Sequence, residues 1–273
     1  MTGARDMRAE PFPRERRHTA HFLREIRAFS PVFLGADVDM SAVRRHQRAA
    51  REAGENTSTV AYVLYVAARV LAAHPEANAA MRGLLRPRVT RYPTVAGKLA
   101  LDKRLNGRRV VLAAVLGDLH RLSLEEIGQR IAHHREGDAE QLPEFAGVRS
   151  LQRLPVPLGR LVYRLATRPL RRRIATNGTF SVSSLGHRPV TSFHSVGGTT
   201  ITLGLGGIAD RPVVRDGALA VAPVLPLSLT FDHRVLDGAE AADVLAEMKY
   251  ALEAFEDGDG GTDTAARQEA VGS

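Results

Sequence analysis

The chain has 273 residues, enough for one or two domains, and its 44% hydrophobic and 25% charged composition is that of an ordinary globular protein, which excludes wholesale disorder. It contains no cysteine, which excludes thiol nucleophiles, disulfide frameworks, Cys-ligated zinc and iron–sulfur clusters. Its 38 Lys+Arg against 30 Asp+Glu give a net charge of +8, which favours anionic partners; aromatic residues at only 5% and the absence of tryptophan leave few stacking platforms, so no nucleic acid is expected.

Residues 1–20 read as an arginine-rich N-terminal arm (Arg5, Arg8, Arg14, Arg16, Arg17) interrupted by Pro11 and Pro13. The stretch Met1–Glu15 has no apolar core of the kind a secretory signal needs, and no apolar run reaches the roughly 20 residues that span a bilayer, so a cytoplasmic location is expected. Residues 31–39 then read as a strand, and Ser41 as the N-cap of a helix that Gly54 stops. Val60, Val63, Leu64, Ala67 and Leu71 recur at helical spacing and predict a core-facing helix over 59–73. Two β-rich runs, 94–101 and 109–116, flank Asn106-Gly107, a tight-turn signal. Ser123-Leu-Glu-Glu126 is a capping box opening a helix that ends near His133-His134, a pair expected to be cationic at the helix C-terminus.

Residues 138–177 differ in character. They hold Pro143, Pro155, Pro157 and Pro169 and a basic amphipathic stretch over 158–168, followed by Arg171, Arg172 and Arg173. An apolar helix bearing arginines can lie on a membrane surface or grip an acidic protein, and residues 158–173 are the candidate for either; a solvated helix covering a sheet is the alternative. Short strands follow at 179–183, 199–204, 213–214, 219–221 and 226–231. A final helix over 239–255 carries Val244, Met248, Leu252 and Phe255 on one stripe. From residue 256 no periodicity remains, and the tail 256–273 is expected to be disordered. Grouped strands with interspersed helices and no regular βαβ alternation argue for an α+β, mixed-sheet sandwich with helices.

The candidate chemistry sits where the apolar run Leu227-Ser-Leu-Thr-Phe231 enters Asp232-His-Arg-Val-Leu-Asp-Gly238. A histidine in a turn after a strand has a fixed backbone and an exposed ring, and its near-neutral pKa suits proton transfer. Spacing alone is weak: His-x-x-x-Asp-Gly is expected by chance about 0.05 times in a chain of this composition. Residues 228–238, Ser-Leu-Thr-Phe-Asp-His-Arg-Val-Leu-Asp-Gly, resemble the Asp-His-Arg-x-x-Asp-Gly signature of dihydrolipoamide acyltransferases. That family forms the cores of 2-oxoacid dehydrogenase complexes and is similar in fold to chloramphenicol acetyltransferase. Residues 178–186, Gly-Thr-Phe-Ser-Val-Ser-Ser-Leu-Gly, resemble its second signature, placed fifty residues before the histidine. Weaker likenesses extend the resemblance over roughly 20–255, so 21–255 is read as one catalytic domain carrying the basic insertion 138–177.

The resemblance implies a chloramphenicol acetyltransferase-like fold and direct acyl transfer from a coenzyme A or carrier-protein thioester to a thiol, hydroxyl or amine. It implies His233 as general base, Ser183 as donor to the oxyanion, and Asp237 as the residue holding the histidine loop. It also implies a homotrimer with sites between subunits, no covalently bound cofactor and no metal. Because no lipoyl domain is recognised, a stand-alone acyltransferase is expected, with any lipoyl group supplied in trans. The alternative is a catalytically silent trimeric scaffold or lipoyl-domain-binding module. Ser195-Val-Gly-Gly-Thr199 stands where the family has an Asn-Pro-Pro-like bend, so the acceptor channel is expected to differ. His187 and His194 either line the site or lie on the surface.

Overall fold

The computed structural model describes residues 11–83 and 86–256. The first half of the expected arm, residues 1–10, lies outside those residues, as does all but the first residue of the expected tail. From Arg14 the described part of the arm is helical: α1 (Arg17–Glu25) crosses the expected boundary at residue 20 and buries His21.

Where sequence signals are local, the elements match them. β1 (Pro31–Asp39) and α3 (Thr59–Ala73) have the expected bounds. Between them, α2 (Ser41–Glu52) is capped differently: Met40 is the N-cap, and Asp39 Oδ1 accepts from the Ser41 amide at 2.9 Å. The short hairpin β2 (Ala79–Arg82) and β3 (Arg88–Arg91) has no counterpart in the sequence reading. β4 (Gly97–Leu105) and β5 (Arg108–Leu116) are joined by Asn106 and Gly107, both at positive φ (49° and 73°), as a type I′ turn requires. The Ser123–Glu126 capping box opens α4 (Leu124–Glu136).

The proline-rich insertion is helical: α5 (Ala146–Arg153), α6 (Val156–Thr167) and α7 (Leu170–Asn177), each break coinciding with a proline that cannot continue the preceding turn. β6 (Phe180–Ser184), β7 (Ile201–Leu205), β8 (Ala209–Arg215) and β9 (Ala218–Asp232) follow, then α8 (Gly238–Glu253). Pro223 and Pro226 suggest two strands; β9 is instead a single strand of 15 residues.

The main sheet runs in the order β1-β9-β7-β6-β4-β5, with β8 pairing the first half of β9 on the edge whose second half pairs β7. β7–β6 and β6–β4 are parallel and the other pairs antiparallel, the mixed sheet expected. Strand alternation divides its faces. Leu99, Phe180, Val182, Leu203, Leu229 and Phe231 point into the core shared with α3 and α8. The other face presents Lys98 on β4, Ser181 and Ser183 on β6, Thr202 on β7, and Ser228 and Thr230 on β9, neighbours in register. No helix among the described residues is long and apolar enough to cross a membrane.

Candidate active site

The backbone at His233 is built by its neighbours. Asp232, only 3% exposed, accepts from the amides of Ser30 and Arg234 (both 3.3 Å) and from the Arg234 guanidinium at 2.8 and 2.5 Å. The His233 amide donates to Ser30 O at 2.9 Å, and the Arg234 guanidinium lies over the Phe29 ring. The turn is therefore stitched to the entry of β1. Its imidazole is nevertheless 47% exposed, and no hydrogen bond to it is found among the described residues. The Asp237 carboxylate approaches Nδ1 at 3.4 Å and is 83% exposed. Asp237 is also the N-cap of α8, its amide reaching Glu240 Oε2 at 3.5 Å, so it holds the loop's exit as well as facing the ring.

Ser183 lies near the end of β6, opposite Gly204, and is half-buried. Its hydroxyl makes no side-chain hydrogen bond among the described residues. Ser181, two residues earlier on the same face, is bound to Thr199 Oγ1 (2.8 Å) and Gly197 O (3.4 Å). The two serines thus divide into a structural and an available hydroxyl. Within one chain Ser183 and His233 do not meet: Ser183 is level with Ser228, five residues before His233 and two strands away. At ~3.3 Å per residue and ~4.8 Å per strand this is a separation of roughly 19 Å.

Flanking Ser181 is a pair of cations, the buried Lys98 and the half-buried Arg173, that sequence reasoning missed. The Lys98 ammonium donates to Asn177 Oδ1 and Gly197 O and sits 5.0 Å from the Phe22 ring centroid. Burial, aided by the nearby Arg173 guanidinium, lowers its pKa to about 7. Arg173 donates to Gly198 O at 2.7 Å, as does the Asn177 amide. Gly198 is at φ +77°, and a Cβ on Gly197 would come within 2.5 Å of Ser181 Cβ. The Gly197-Gly198 pair thus lets backbone carbonyls approach the sheet, a signal legible only as an unusual glycine pair.

His187 and His194 are both exposed, His194 edge-on to Phe33 with ring centroids 5.4 Å apart. The His133-His134 pair is not the expected cation pair. His134 is buried, which lowers its pKa and favours the neutral ring, while His133 faces Glu144 at 3.3 Å. With Glu144 these two histidines offer ligand atoms within 4.8 Å of one another, but Arg130 lines the same cleft and opposes a bound cation.

Ser183 and His233 both fall inside one recognisable stretch. Residues 147–257 match the catalytic domain of the 2-oxoacid dehydrogenases acyltransferase family. Among curated relatives, the dihydrolipoyllysine-residue acetyltransferase component of the Bacillus subtilis pyruvate dehydrogenase complex is 44% identical over 73 residues, 23% of this chain and 16% of the relative. The corresponding Staphylococcus aureus component is 50% identical over 50 residues, 18% of this chain and 12% of the relative. The matched part therefore spans less than a fifth of the length of these relatives. Likeness of fold extends much further. A probable dihydrolipoamide acetyltransferase from Listeria monocytogenes superposes with a TM-score of 0.69 at 18% identity, covering 93% of this chain and 98% of that one. An Azotobacter vinelandii dihydrolipoamide acetyltransferase gives 0.69 at 21%, covering 91% and 92%. This chain has the fold of those acyltransferase cores.

Proposed function

We propose that this chain is an acyltransferase that moves an acyl group directly from a coenzyme A or carrier-protein thioester to a thiol, hydroxyl or amine. The observation that carries the reading is the His233 ring, half exposed and unbonded on a turn whose backbone is pinned by the buried Asp232 and its bonds to Ser30 and Arg234. In the proposed step His233 Nε2 takes the acceptor's proton as the acceptor attacks the thioester carbonyl. A Ser183 hydroxyl donates to the oxyanion that forms. The intermediate collapses with C–S cleavage, and the protonated imidazole returns its proton to the leaving thiolate, so no acyl-enzyme is formed. Asp237, near Nδ1, fixes the ring and favours its imidazolium form during the transfer.

Since Ser183 and His233 stand far apart in one chain, each site is proposed to pair the histidine of one subunit with the serine of the next in a homotrimer. A lipoyl group supplied in trans is one thiol acceptor within this proposal. The net charge of +8 supports an anionic donor.

Subunit mixing tests both parts of the proposal. His233→Ala should lower thioester turnover by about 10²–10⁴-fold and Ser183→Ala by about 10²–10³-fold. Unfolding the two variants together in equal amounts and refolding them should restore activity to about one quarter of the wild-type level, because that fraction of interfaces receives an intact residue from each side. Full activity of His233→Ala refutes the mechanism, and no recovery on mixing refutes the shared site. Failure of every thioester to react with the native protein would favour the silent scaffold.

A further inference from the structure

Helix α6 is turned inside out relative to an ordinary surface helix, which places its apolar stripe against the core. Its inward side is lined by Gly159, buried against His21 of α1, and by Tyr163, whose ring centroid lies 6.0 Å from the His21 ring centroid. Leu158, Leu161, Val162 and Leu165, at i, i+3, i+4 and i+7, form one continuous stripe that is 41–60% exposed. Arg160, Arg164 and Arg168 recur every four residues along one border of that stripe, and Arg171 and Arg172 follow on α7. Glu25 pairs with Arg164 and Arg168; among the described residues no carboxylate pairs with Arg160, Arg171 or Arg172, all exposed.

We infer that α6 is an interfacial helix that docks this protein on an anionic lipid surface. Its leucines enter the boundary of the acyl chains, and Arg160, Arg171 and Arg172 meet the headgroup phosphates. A lipid surface satisfies both halves of the face at once, apolar depth under the stripe and negative charge along its border. A purely acidic protein would answer the arginines and leave the leucines in water. A second copy packed symmetrically would bring two arginine borders together.

The chain has no tryptophan, so Leu165→Trp gives a single reporter on the face itself. In the full chain, its fluorescence should shift to the blue on adding vesicles of phosphatidylcholine with about one third phosphatidylglycerol, and the partition coefficient should exceed that for pure phosphatidylcholine by about tenfold or more. Adding Leu161→Glu should abolish the shift while leaving the molar mass by light scattering unchanged. The inference is overturned if anionic vesicles leave the emission where it was, or if the shift survives Leu161→Glu, which would mean charge alone drives binding. It is equally overturned if Leu161→Glu changes the number of subunits, which would assign the face to another copy. None of these measurements depends on acyl transfer, so they stand or fall separately from the catalytic proposal.

Discussion

At the scale of single residues, Lys98 sits beside Ser181 with its ammonium held by Asn177 and the Gly197 carbonyl, next to another cation, Arg173. Its folded-state pKa of about 7 lies below the 10.5 of a free lysine. Between those values the unfolded chain holds a proton that the folded chain has released. Stability therefore rises with pH from about 7 towards 10, by up to about 1.4 kcal/mol per pH unit from this group, and the contribution is constant below 7. Denaturation midpoints at pH 7 and 9.5 should show this rise in the native protein and a smaller one in Lys98→Met; equal slopes would assign the titration elsewhere. Of the site residues, His233, Ser183 and Asp237 were legible in the sequence because each belongs to a signature. Asp232 and Arg234, which pin the turn, stand in the same signature without a role that spacing reveals, since their partners Ser30, 202 positions from Asp232, and Phe29 are remote in sequence.

Among the elements, the segment over 195–199 is held against the sheet by side chains that reach its backbone, Lys98 and Ser181 at Gly197 O and Arg173 and Asn177 at Gly198 O, and the absence of a Cβ at Gly197 lets it come that close. Gly197→Ala would drive a methyl group into Ser181 and Thr202 and should cost about 1–3 kcal/mol. Gly35→Ala in β1, where an added Cβ meets nothing within 4 Å, should stay within about 0.5 kcal/mol, and thermal unfolding compares the two directly. Elements written in local code were readable in advance: α3 from its apolar period, the β4–β5 turn from Asn106-Gly107, the start of α4 from Ser123 and Glu126. β9 was not, because prolines normally punctuate a strand. Here Pro226 lies next to Leu227, where pairing with β7 ends, and its carbonyl accepts from the Gly206 amide, so the missing N–H breaks no ladder. The insertion was legible as basic and amphipathic, but the outward sense of its stripe is a tertiary fact.

For the molecule as a whole, the proposed acyl transfer makes the positive charge act on donor capture rather than chemistry. Raising salt to about 0.3 M should increase KM for an acyl-coenzyme A several-fold with kcat little changed, while an uncharged acyl-pantetheine should show a flat KM. Parallel salt responses for both donors would remove the electrostatic role. The two differently built faces of the sheet follow from the alternation of Leu, Val and Phe with Ser, Thr and Lys, and the mixed pairing from the lack of regular βαβ alternation, so both were foreseeable in kind. The strand order was not, since it depends on pairings between distant segments.

β9 carries a mechanical consequence. Its first residues form, with β8, a hairpin tip bearing Val214, Leu219 and Val221, each at least 72% exposed, and its last residue adjoins His233. Hydrogen bonds to β1 on one side and to β8 and then β7 on the other make it an inextensible rod, about 50 Å from end to end. A partner seated on that apolar tip would therefore fix, through one unbroken strand, the level at which the turn carrying His233 stands at the far end.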